Sequence, residues 1–211
     1  MFFRQFLDKR NHNGLLILAI LFLFISTSSH SQFVLYDNTS TGLPINKATS
    51  IGVTLVEDIF IGTRDQGIIH KSVLGWDNYY KPVTSNFPNN YIQDVYVAGS
   101  EVIISTQYGG VGIFKGQGWT TMNSSTTSGN IPDDQVEAAC YDSKGNLWMA
   151  TFLGLVMDSV ASDEWKLFNM SNFPVMPTNH ITKLVIDSKD IKWMGTSDGV
   201  LRLKDSVFTL Y

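Results

Sequence analysis

Cysteine is almost absent from this chain: Cys140 is the only one in 211 residues, so no internal disulfide and no thiolate metal cluster can form. Within Val136-Glu137-Ala138-Ala139-Cys140-Tyr141-Asp142 it reads as a small buried apolar side chain. Histidine is scarce too, with four in all, and His12 and His30 sit close to the N-terminus. That leaves His70 and His180, with no Ser-His-Asp spacing and no cluster of metal-ligand types around them. The chain therefore does not read as an enzyme, and no catalytic residue, metal or cofactor is expected. Charged residues are only 16% of the chain and form no block of one sign, so the surface offers nothing for nucleic acid. The apolar run Leu15 to Ile25 rises only about 17 Å against roughly 30 Å of hydrocarbon, so a spanning helix is the weaker reading of it.

What that run does fit is a targeting signal. Arg4, Lys9 and Arg10 supply a basic start, Leu15 to Ile25 the apolar middle, and Ser29-His30-Ser31 a small-residue end. Cleavage after Ser31 would leave residues 32–211, exported to the periplasm or secreted. No cysteine lies near that cut, which excludes the usual lipid attachment point. Removing three basic residues and one acidic residue takes the formal net charge from −4 to −6.

The remainder repeats itself. Ile59 to Gly67, Val102 to Gly110, Leu147 to Gly154 and Ile191 to Val200 are four versions of one theme. Their threonines, Thr63, Thr106, Thr151 and Thr196, stand 43, 45 and 45 residues apart. Pro44, Pro88, Pro132 and Pro177 keep the same period, each followed two residues later by Asn46, Asn90, Asp134 or Asn179 as turn chemistry. The units are about 44–87, 88–131, 132–176 and 177–211. In the third, strands are expected at Val136 to Tyr141, Leu147 to Thr151, Leu155 to Asp158 and Glu164 to Asn169, with turn residues between them. Four short strands per 45 residues make a propeller blade, so the fold class is all-β, with about four blades of four antiparallel strands.

The recurrent side chains read as scaffold. Phe60, Ile103, Trp148 and Trp193 share one bulky slot, and Trp76, Trp119, Trp165 and Phe208 another; both sets are expected to pack between blades. Gly62, Ser105, Ala150 and Gly195 leave room for close sheet packing. Phe33 to Tyr36 resembles Phe208 to Tyr211, which gives an extra outer strand at 33–36. Either a small four-bladed ring or an open arc, a partial propeller, satisfies that count. Open ends would expose apolar faces and drive self-association.

Asn179-x-Ile181, Asp187, Ile191-Lys192-Trp193-Met194-Gly195-Thr196 and Gly199-Val200 resemble the two-component regulator propeller repeat. Asp142, Gly145-Asn146-Leu147-Trp148 and Thr151 match it equally well, whereas the first two units depart, with Phe60 and Ile103 in place of tryptophan and Leu55-Val56-Glu57 and Val97-Ala98-Gly99 in place of the Asp-containing turn. The resemblance implies the exported sensor region of Bacteroidetes-type hybrid histidine kinases, often carbohydrate-responsive, here in a truncated form without a kinase of its own. The implied partners are a glycan or peptide ligand and a membrane-bound sensor kinase. The alternative is a cell-envelope scaffold serving secretion or surface assembly, with envelope proteins as partners.

Ligand residues are sought where the repeats differ. In the loops leading into the first strands these are Lys47, Tyr91, Gln135 and His180. In the loops joining second to third strands they are Arg64 with Asp65, Gln107 with Tyr108, Phe152, and Ser197 with Asp198. All of these loops belong to one propeller face, whose concave mouth would suit a sugar or a peptide.

Overall fold

The computed structural model describes residues 35–43, 47–80 and 83–211. The expected targeting signal, residues 33–34, Pro44 and Asn46 lie outside the described residues. Four antiparallel sheets of four strands follow one another in chain order. The first blade is β1 (Ala48–Val53), β2 (Ile59–Thr63), β3 (Ile68–Ser72) and β4 (Gly75–Tyr79). The second is β5 (Ile92–Ala98), β6 (Glu101–Thr106), β7 (Val111–Phe114) and β8 (Trp119–Met122). The third is β9 (Val136–Tyr141), β10 (Leu147–Thr151), β11 (Gly154–Ser159) and β12 (Glu164–Phe168). The fourth is β13 (Ile181–Ile186), β14 (Lys192–Thr196), β15 (Gly199–Lys204) and β16 (Val207–Leu210). Leu35 and Tyr36 are not in a strand. The chain turns there into a one-turn helix, Asn38–Thr41, whose start Asp37 caps by accepting from the amides of Thr39 and Ser40. Tyr36 instead lays its ring on Trp76, 5.3 Å away.

The repeating threonine has a defined task. Thr63, Thr106, Thr151 and Thr196 donate their hydroxyls to the carbonyls of Gly67, Gly110, Gly154 and Gly199 at 2.7 to 2.9 Å, closing the turn after each second strand. The same oxygens accept amides from within the turn. Asp134 and Asn179 fasten each lead-in to the loop before it, accepting from the amides of Ser124 and Met170 at 2.7 Å.

Core formation happens between sheets, because strand side chains alternate and each internal sheet buries both faces. Phe60 and Ile68 of the first blade pack on Ile92, Val95, Ile104 and Trp119 of the second. Ile103 and Val111 of the second pack on Val136, Ala139, Met149 and Val156 of the third. Cys140, Trp148 and Leu155 of the third pack on Leu184, Met194, Leu201 and Phe208 of the fourth. Each blade thus has a leading face toward its successor and a trailing face toward its predecessor. Burial also pushes the Cys140 thiol up to about 12, assisted by the charge of Asp94, so at neutral pH it is a packing group and not a nucleophile.

Two expected core residues depart from this pattern. Phe60, Ile103 and Trp148 sit on leading faces and are buried, but Trp193 is half-buried on the leading face of the last blade. Trp119, Trp165 and Phe208 sit on trailing faces against a preceding blade, whereas Trp76 lies on the trailing face of the first blade. Neither Trp193 nor Trp76 packs between blades, because no blade adjoins those two faces. Ile51, 62% exposed, and Val185, 54% exposed, lie on the same two faces, so among the described residues the first and fourth blades do not pack on each other, although Ile69 on the first blade's face is fully buried.

In the third and fourth blades an aspartate latches the tryptophan. Trp148 donates its indole N–H to Asp142 at 2.9 Å and Trp193 to Asp187 at 3.1 Å. Asp142 also accepts the Lys144 and Asn146 amides and the Asn146 side chain. Burial alone would raise its pKa, but the Trp148 and Asn146 donors and the Lys192 charge outweigh burial and hold it below the ordinary value.

Gly62 and Gly195 occupy the same slot in different surroundings. A Cβ on Gly62 would stand 2.7 Å from Ile92 Cγ2 of the next blade, while one on Gly195 meets only Thr182 Oγ1 at 3.3 Å. Gly62→Ala should therefore cost about 1–3 kcal/mol of unfolding free energy in denaturant titration, and Gly195→Ala less than about 0.5 kcal/mol. Because the pKa of Asp142 is depressed in the fold, its stabilisation is fully present above the unfolded value near 3.9 and is lost as pH falls through the folded value. Asp142→Asn should lower stability at pH 7 by about 1–3 kcal/mol, and the gap to the parent should close as pH is taken below about 4. Urea midpoints measured between pH 7 and 3 check both statements.

Candidate ligand face

Each first strand opens with the same irregularity. The pairing register shifts between Ala48 and Ser50, Ile92 and Asp94, Val136 and Ala138, and Ile181 and Lys183. A bulge of this kind frees one residue from the ladder and re-aims its side chain. The freed residues are Thr49, Gln93, Glu137 and Thr182, polar in every blade although the strands around them are largely apolar.

The register also brings the two sets of candidate loops to the same end of each sheet. Lys47 accepts the Arg64 amide at 3.1 Å, Tyr91 the Gln107 amide at 3.0 Å and Gln135 the Phe152 amide at 3.2 Å through their carbonyls. Residues chosen because they vary thus stand side by side, in pairs, on one face.

Glu137 is the hub of that face. Its side chain is only 13% exposed. Gln93 Nε2 donates to its Oε2 and Gln135 Nε2 to its Oε1, both at 2.8 Å, and His180 Nε2 stands 3.3 Å from the same Oε1. Gln93 also donates to Gln107 Oε1 at 2.6 Å. The network joins three blades. A second polar line runs beside it, where Ser50 donates to Asp94 at 3.0 Å and Lys183 Nζ reaches the same Oδ1 at 2.6 Å.

Aromatic rings border the polar hub. Tyr91 and Tyr108 meet edge to face, 6.4 Å between centroids, with the Arg64 guanidinium 5.6 Å over the Tyr91 ring. The Phe152 ring lies 4.8 Å from that of His180. Tyr108 is 68% exposed, so its ring is open to a ligand. Lys47 and Asp65 form an ion pair at 2.5 Å, and the Lys47 donor holds the Asp65 carboxyl below its ordinary value. Ser197 donates to its neighbour Asp198 at 2.8 Å, and both are exposed in the turn after β14. Among the described residues, neither of the two hydrogen-bonds to the Glu137 network.

Sequence reasoning missed Gln93 and Glu137. Both stand two residues after a lead-in candidate, and that polar slot recurs as Thr49, Gln93, Glu137 and Thr182, 44, 44 and 45 residues apart. This spacing was the available signal. Among the described residues no group of three His, Cys, Asp or Glu side chains is placed to hold a metal ion. No helix among them is long and apolar enough to cross a membrane.

Comparison with known proteins places this geometry. Residues 130–152, the end of the lead-in and the first two strands of the third blade, match the family model of the two component regulator propeller. No curated protein sequence matches the chain. Among solved structures, the extracellular domain of the hybrid two-component system BT3049 of B. thetaiotaomicron superposes with a TM-score of 0.71 at 16% identity, over 85% of this chain and 26% of that one. The corresponding domain of BT4673 from the same organism gives 0.64 at 20% identity, over 82% and 23%. PorZ, a surface component of the type-IX secretion system of Porphyromonas gingivalis, gives 0.53 at 13% identity, over 89% and 30%. The chain spans about a quarter of the length of the first two, and at these identities the likeness is one of fold. Its blade order gives the chain the fold of a β-propeller, and the part of its third blade over residues 130–152 is similar to the two component regulator propeller repeat.

Proposed function

We propose that this protein is an exported ligand-binding module of a two-component type of sensor system, that it is not an enzyme, and that the face around Glu137 is where it binds a glycan. The observation that carries this reading is a nearly buried carboxylate held by Gln93, Gln135 and His180, with the Phe152 ring against His180 and the Tyr91–Tyr108 pair on the loop that carries Gln107 and the lead-in beside it. Sugars present hydroxyls at their edges and apolar C–H surfaces on their faces, so a fork of amides and a carboxylate beside tyrosine rings meets both. Burial strengthens the polar part, since hydrogen bonds to a charged acceptor away from water contribute about 1.5–3 kcal/mol each. The scaffold contributes rigidity: the strands and closed turns hold these side chains before a ligand arrives. Export fits the N-terminal basic and apolar segment and the extracellular setting of the BT3049 and BT4673 domains. A membrane-bound sensor kinase on another chain would receive the signal.

Titration calorimetry against a panel of soluble neutral oligosaccharides tests the reading. At least one should bind, and Tyr91→Ala combined with Tyr108→Ala should weaken that binding at least tenfold while leaving the melting temperature of the unliganded protein within about 2 °C. Glu137→Gln should weaken it by a similar factor. A panel that gives no heat, together with recovery of envelope proteins in pull-downs from the membrane fraction, would replace ligand sensing with the scaffold role.

A further inference from the structure

The third and fourth blades enclose a cleft of about 270 Å³ between the turns that follow β9 and β13, at the end of the sheets opposite the Glu137 face. It gathers charge of one sign in an acidic protein. Lys144, Lys166, Lys189, Lys192 and Lys204 all line it, five of the 15 basic residues of a chain whose formal net charge is −4. Four of the five are exposed and, among the described residues, form no ion pair. Lys192 differs, with a side chain only 10% exposed. It stands four residues before the turn-closing threonine, the slot that holds Ile59, Val102 and Leu147 in the other blades. One junction therefore carries an ammonium group where the repeat elsewhere places an aliphatic side chain.

Burying that charge is unfavourable unless it is compensated, and the protein compensates it only in part. Lys192 Nζ lies 4.4 Å from the centroid of the Trp148 ring and 3.5 Å from Asp142 Oδ2. The second distance is long against the about 2.7–2.9 Å of a charge-assisted hydrogen bond. Asp142 Oδ2 already accepts from Asn146 Nδ2 and Trp148 Nε1, both at 2.9 Å. Asp190 accepts from the amide and the hydroxyl of Ser143, which ties the two turns together across the cleft. Asp205 is exposed at the rim. Of the three acidic groups set against five lysines, two are thus committed to hydrogen bonds of their own. Lys166 Nζ sits 4.9 Å from the Phe168 ring, which stacks on Trp148 at 5.6 Å, so the paired rings hold one ammonium group from each blade.

We propose that this cleft is a second binding site, for an oxyanion of the sulfate or phosphate monoester type. An ammonium group on a flexible stem serves such an anion as a point charge, and the uncompensated donors of Lys192 form the floor against which it would rest. A bare tetrahedral ion fills only part of the cleft, which leaves room for the group that carries it. The site stands apart from the glycan reading of the Glu137 face, since no residue is shared.

Amide NMR on the full chain tests this, with inorganic sulfate, inorganic phosphate and a glucose sulfate monoester titrated separately at an ionic strength held constant with sodium chloride. Saturable shifts are expected at the Trp148 indole N–H and at the amides of Lys144 and Asn146. Lys192→Leu, which installs the residue type of the other blades, should weaken binding by about tenfold or more, as should Lys166→Gln combined with Lys204→Gln at two exposed positions. Circular dichroism should show both variants folded. A glucose sulfate that binds more tightly than either inorganic ion assigns the site to an anionic glycan, and ions that bind as well as the ester assign it to the free oxyanion. Shifts that fail to saturate with all three probes overturn the proposal, as does either variant binding as well as the parent. Lys115→Gln removes the same charge from the second blade, and an equal loss of binding there would show a general charge effect and overturn it too.

Discussion

Every sheet in this protein is apolar on both sides, and that constraint governs the rest. A sheet packed on one face offers alternating polar residues to water, but here alternation places valine, isoleucine, leucine or tryptophan on both sides of each blade. Such a sheet is not stable alone. It needs a neighbour in front and one behind, so the units stack in series and the hydrophobic core forms between them. The aromatic slots follow from the same requirement, one facing forward and one facing back. Trp193 and Trp76 hold the same two slots on faces that no described blade adjoins, and both are half-buried.

The polar parts of the repeat are coupled to this packing. Trp148 enters a junction nose first, and its indole N–H would be stranded in the apolar layer without an acceptor. Asp142 supplies that acceptor six residues earlier, and its remaining lone pairs bind the turn that leads into the tryptophan strand. The first two blades place Phe60 and Ile103 in the same slot, and with no N–H to satisfy they have Thr54 and Val97, not aspartate, six residues earlier. Tryptophan and aspartate are present together or absent together, so what looks like degeneracy in half of the repeats is one physical substitution made twice.

The proposed ligand face, by contrast, sits where the repeat stops dictating the side chain. The turn-closing threonine holds each loop so firmly that the residues beside it are at liberty to differ, and they do: Lys47, Tyr91, Gln135 and His180 on one set of loops, Arg64, Gln107 and Phe152 on the other. Bulges at the start of the first strands add Gln93 and Glu137 to the same face. The blades therefore act as a mount, with a separate choice of chemistry at the top of each.

The sequence by itself determined the blade count, the strand order and the face on which to look, because period, turn residues and alternation are local properties that survive in a linear reading. Tertiary structure decided which varied residues meet. Glu137 gathers Gln93, Gln135 and His180 from three blades, while Ser197 and Asp198, equally variable in sequence, hydrogen-bond to each other instead. It also decided that Trp148 is buried between blades and Trp193 only half-buried, since the two share one sequence context. The physical reason is that convergence across blades depends on bulge geometry and on the side chains of residues about 44 positions away, and neither leaves a mark on the local pattern.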